Sequence, residues 1–186
     1  MEVRIFNQGQ FAGDMQGKKE SVGERVRSLI NMLSSKDGVI RQKARNSLVT
    51  MGRPAVSSLI RALRHSGSVQ VRWEAAKALG AIGDNRSIPA LVNTLTDSNF
   101  DVAWVAAEAL RKFKKAAWPE LMRALMKNIP DSGLLYQGAH HVLRGQREEG
   151  YEASLYTLMQ ALEGSRLSES TIVAAHEILE RLKAEA

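Results

Sequence analysis

Apolar residues recur along this chain at the spacing of an amphipathic helix, and the pattern itself repeats. Across 71–82 the apolar positions Val71, Ala75, Ala78, Leu79 and Ile82 gather on one side of a helix turning about 100° per residue. Trp73, Lys77 and Gly80 point the opposite way. The same pattern stands 31 residues earlier, from Ile40 through Ala44, Leu48 and Met51 to Gly52. It stands again 31 residues later, from Val102 through Ala106, Leu110 and Phe113 to Lys114. Two looser copies carry Leu135, Ala139, Val142 and Leu143, then Ala175, Ile178, Leu179 and Leu182. A second helical pattern, Leu-x-x-x-Leu, follows each of the first four copies at Leu59/Leu63, Leu91/Leu95, Leu121/Leu125 and Leu158/Leu162, and precedes the first at Leu29/Leu33.

The predicted unit is therefore a pair of short helices. Gly52, Gly83 and Gly133 mark helix ends or links. Pro54, Pro89 and Pro119 fall at the start of second helices, where a missing N–H costs little. Asp37, Ser68, Asp101 and Ser132 are the expected caps of first helices. Alanines at 44, 75, 106, 139 and 175 let neighbouring helices approach closely. One such pair cannot bury its own stripe; stacked pairs share a continuous core.

The run 71–84, Val-Arg-Trp-Glu-Ala-Ala-Lys-Ala-Leu-Gly-Ala-Ile-Gly-Asp, followed by 87–95, Ser-Ile-Pro-Ala-Leu-Val-Asn-Thr-Leu, closely resembles a HEAT repeat, of the short subtype named after phycobilisome lyases. The resemblance extends over residues 22–186. It implies an all-α fold: an α-solenoid of about five stacked two-helix units, with one concave and one convex face. Copy three departs from the pattern at Ala103 and Lys114, where the repeat has Arg and Gly, and copy four departs at Gln146. Residues 1–21 lie outside the pattern and read as a flexible N-terminal arm. The alternative is that Ile5, Phe6 and Phe11 cover the open end of the first helix.

In repeats of this type the Val-Arg-x-x-Ala-Ala helix lines the concave face. The resemblance thus implies a row of side chains available to a partner. Trp73 and Trp104, one repeat apart, would anchor it. Lys77, Glu108, Arg111, His141 and Arg144 would surround them, and Gln42 and Asn46 would extend the row into the first unit. This predicts a non-catalytic scaffold that binds another protein or a peptide segment. Trp118, beside Pro119 at a helix start, reads as packing.

Charge supplies a rival. The chain carries +6 overall, and residues 36–66 alone hold seven basic residues and one acidic one. Arg41, Lys43, Arg45, Arg61 and Arg64 are candidates to hold a nucleic-acid backbone. Against this, Arg41 and Arg72 occupy the repeat's structural Arg position, where pairing with Asp84, Asp97 or Asp101 is expected.

Enzymes of this fold leave fewer traces. Deoxyhypusine hydroxylase holds two irons with repeated His-Glu pairs. The matching positions here are Trp73-Glu74, Gln42-Lys43, Trp104-Val105 and Gln137-Gly138, while His176-Glu177 is out of register. A bilin lyase or a DNA glycosylase using Trp73, Trp104 and Glu108 would rest on fold analogy alone. His140 and His141 point about 100° apart and cannot chelate together. His140 and His176 are expected at seams between units. With no cysteine, thiol chemistry and Cys-held metals are excluded. Neither metal nor cofactor is expected. No apolar run is long enough to span a bilayer, and no secretory leader pattern opens the chain, so the expected location is cytoplasmic.

Overall fold

The computed structural model describes residues 20–127, 133–163 and 169–185. Among these residues ten α-helices follow one another, with no strand. They are α1 (Val22–Met32), α2 (Gly38–Met51), α3 (Arg53–His65), α4 (Val69–Ile82), α5 (Ile88–Thr94), α6 (Phe100–Arg111), α7 (Trp118–Met126), α8 (Gly133–Leu143), α9 (Glu152–Glu163) and α10 (Glu169–Ala184). The expected arm falls almost wholly outside the described residues, as do Ile5, Phe6 and Phe11. Its last residue, Ser21, is structural: it opens α1 with a capping box, its hydroxyl accepting from the Glu24 N–H at 3.2 Å.

Local chemistry sets most helix starts. Asp37 accepts from the Val39 N–H at 2.8 Å and Ser68 from the Val71 N–H at 3.4 Å. Pro54, Pro89 and Pro119 occupy the first turns of α3, α5 and α7. Asp101 is not the cap of α6. Asn99 takes that role, accepting from the Val102 N–H at 3.2 Å, and Asp101 lies in the first turn, where a carboxylate favours the helix dipole. Ser132 lies outside the described residues, and Gly133 opens α8. Gly52 and Gly83 end α2 and α4 with φ of 64° and 70°. At the equivalent place in the third copy, Lys114 holds φ 50°.

The helices form two rows. α2, α4, α6 and α8 pack side by side; α1, α3, α5 and α7 lie against them as the second row. Between the rows sit Leu48, Leu59, Leu79, Leu91, Leu110 and Leu121, all fully buried. The five repeated alanines are buried as well. Gly80, expected on the open side of α4, is buried too. α4 is flanked by α2 and α6 and covered by α3, so only a narrow arc of it stays free.

The C-terminal end departs from simple stacking. A regular fifth unit would set α9 beside α7 and α10 beside α8. Instead α9 packs on α8, and α10 packs on both α9 and α7. The end of α10 reaches the start of α7: Lys115 Nζ lies 2.8 Å from Glu185 Oε2, and the Arg181 guanidinium lies 5.0 Å from the centre of the Tyr151 ring. The helices α7, α8, α9 and α10 thus pack in a closed ring of four at this end of the solenoid. Trp118 and Tyr151, both buried, meet edge to face at 5.5 Å inside it. Gln146, the polar residue that breaks the repeat, accepts the Trp118 indole N–H at 2.7 Å and donates to the Val142 carbonyl. The rearrangement leaves His176 on the outside, 57% exposed and 3.9 Å from Glu180, not at a seam.

Candidate functional site

The open arc of the α2–α4–α6–α8 row carries the aromatic pair. Trp73 is half-buried and Trp104 is 45% exposed. Both line one recess of about 480 Å³, together with Arg41, Val69, Gln70 and Asp101. Lys77 Nζ stands 4.2 Å from the centre of the Trp73 ring, a cation–π contact. Trp104 is flanked by two rings: Phe100, stacked at 6.1 Å, and His141, at 4.2 Å. His141 Nε2 also lies 2.5 Å from Glu108 Oε1, tying α8 to α6. Farther along, Arg111 donates to the Arg144 carbonyl at 3.5 Å. The structure therefore brings Trp73 together with Lys77, and Trp104 with Glu108 and His141. Gln42 and Asn46 are exposed on α2 but do not line the recess; Arg41 is the α2 residue that does.

Four lining or flanking residues were not anticipated there: Val69, Gln70, Phe100 and Asp101. Val69 and Phe100 are themselves 31 residues apart and stand four residues before the two tryptophans, one helical turn away. The same repeat offset that picked out Trp73 and Trp104 would have found them, had it been extended into the first turn.

The basic candidates do not form one patch. Glu74, 3% exposed on α4, accepts from Arg41 Nε at 3.4 Å and makes a short hydrogen bond with Arg45 Nη1. Arg41 further donates to the Ser35 carbonyl at 2.8 Å and the Lys36 carbonyl at 3.1 Å. Two of the five cations thus serve an internal carboxylate. Lys43 is exposed on α2, whereas Arg61 and Arg64 belong to α3 in the other row. Arg61 lines a separate cavity of about 570 Å³ between α1 and α3, with Arg27 and His65.

The structural arginines find different partners. Arg72 forks onto Asp97, with Nε–Oδ2 at 2.7 Å and Nη2–Oδ1 at 2.8 Å. Burial pushes the Asp97 carboxyl up, but the Arg72 fork and the Asn99 N–H outweigh it and hold the group below its ordinary range. Asp84 is lowered further, by the Arg86 side chain and backbone N–H and by the charge of Arg53. Arg41 takes Glu74 in place of any linker aspartate.

Residues 26–111 match the family model for HEAT repeats. These residues are HEAT repeats. The match runs from α1 through α6, and the two-row packing of this HEAT solenoid continues beyond it into α7 and α8. No curated protein matches the chain. Among the described residues no cluster of three His, Asp or Glu is placed to hold a metal ion, and no helix is long and apolar enough to cross a membrane.

Proposed function

We propose that this HEAT-repeat protein is a non-catalytic protein-binding scaffold, and that the recess on α4 and α6 receives an apolar segment of its partner. One observation carries the reading: Trp73 and Trp104 occupy the same repeat position and line the same recess, with Phe100 exposed beside them. Exposed aromatics on a rigid helical row offer large contact area at low ordering cost. Lys77, Asp101 and the Glu108–His141 pair border that area with both signs of charge, which sets the orientation of a bound segment more than its affinity. Backbone-phosphate binding by the first unit has less support, because Arg41 and Arg45 are engaged by Glu74.

The test is affinity capture from host lysate with the full chain, its Trp104→Ala variant and its Phe100→Ala variant. Partners retained by the parent chain should be lost from both variants. Identical capture by all three would sink the recess as the binding surface.

A further inference from the structure

Among the described residues, a group of unpaired positive charge gathers outside the basic first unit. The link between α6 and α7 meets the link between α8 and α9, and a cavity of about 380 Å³ opens where they join. Arg111, Lys114, Lys115, Arg144 and Arg147 line it, against one carboxylate, Glu148. Lys115 is already held by Glu148 at 3.1 Å and Glu185 at 2.8 Å. Among the described residues, no carboxylate lies within ion-pair distance of the other four. Sequence order hides this concentration, because the four cations come from two segments about one repeat apart, and the second segment belongs to the acidic end of the chain.

A second observation points to the same place. The first and second copies turn at this repeat position through Gly52 and Gly83, whose positive φ is unstrained. The third copy turns through Lys114 at φ 50°, a conformation that a side chain disfavours. A cation therefore stands at the cavity rim where a glycine would satisfy the backbone better.

We propose that this cavity binds a small polyphosphate anion, a di- or triphosphate group. Arginines match phosphate oxygens with paired N–H donors, and four unpaired cations call for more than one negative charge. The cavity is a half-open corner and no stripe, and its exposed cations converge from two links, which favours a compact anion over a nucleic-acid backbone. No base-stacking surface is available in it, since Trp118 is 1% exposed and its N–H is given to Gln146.

Calorimetric titration of the full chain with inorganic pyrophosphate at low ionic strength tests the site. Saturable one-to-one binding is expected, about tenfold or more tighter than for inorganic phosphate. The double variant Arg111→Gln/Arg144→Gln should weaken it by at least about tenfold. Lys112→Gln, an exposed neighbour outside the cavity, should leave it unchanged. Circular dichroism would establish that both variants fold. Absence of saturable binding, or equal weakening by Lys112→Gln, would overturn the proposal. A salt-dependent preference for duplex DNA over pyrophosphate would overturn it as well.

Discussion

Gly80 on α4 lies directly against Ala109 on α6: a Cβ placed at Gly80 would stand 2.5 Å from the Ala109 Cβ and 2.8 Å from its Cα. The obstacle is backbone, so it cannot swing aside as a long side chain would. Gly80→Ala should gain about 1 kcal/mol of helix propensity and lose about 1–3 kcal/mol to overpacking. A net destabilisation in urea titration is expected. A variant more stable than the parent would show that the two helices separate easily.

Glu74 joins two successive units through Arg41 and Arg45. Glu74→Gln keeps the shape and removes the charge, leaving two arginines facing a neutral group. The expected cost is about 3 kcal/mol, since breaking a buried pair strands the remaining charge. The same variant should elute later from heparin, because arginines released from Glu74 become available to the matrix. Unchanged stability with unchanged elution would mean that the clamp contributes nothing.

Acid should loosen the solenoid at its linkers. Asp97 and Asp84 both have folded-state affinities for protons below those of the unfolded chain. Their contribution is therefore present above the ordinary carboxylate range, near pH 4, and is lost as pH falls through the lower folded values. Asp97→Asn should lower stability at pH 7 by about 2 kcal/mol, as hydrogen bonds to a charged group are lost. It should also flatten the decline as pH falls below the ordinary carboxylate range, which thermal melts across pH would reveal.

Lys114→Gly separates the two demands placed on that residue. Relief of the left-handed backbone should stabilise the fold by about 0.5–1 kcal/mol. Loss of one rim cation should weaken pyrophosphate binding. A variant in which stability and binding fall together would contradict this division.

The three tryptophans should respond differently to truncation. Trp118→Ala removes a ring buried against Tyr151 and should cost about 3–5 kcal/mol. Trp104→Ala removes an exposed ring and should change stability by less than about 1 kcal/mol. Trp73→Ala should fall between them. Chemical denaturation of the three variants orders them directly.

Much of this molecule was legible before folding. The 31-residue offset identified paired helices, the prolines and glycines placed their ends, and the repeated alanines marked the buried seam. Those features are local or periodic, so each copy reports the same constraint on φ, ψ and burial. The reading weakened where one residue served two neighbours. Gly80 sat on the open side of an isolated helix, yet α6 covers it. Asp101 was placed as a cap by spacing, yet Asn99 reached the free N–H first. Arg45 counted as a surface cation until Glu74 was seen opposite it.

The amino-acid sequence by itself determined the helix-pair unit, its 31-residue offset and the common face of Trp73 and Trp104, because a repeat offset carries each side chain to the same side of successive helices. Only the tertiary structure decided how the array ends and where free charge collects. The last hairpin turns so that α10 covers α7, a choice made by the joint packing of Trp118, Tyr151 and Gln146. Charge follows the same logic. Its sum along a segment is fixed by composition, but whether a cation is spent on a carboxylate or left open depends on partners that approach from other helices.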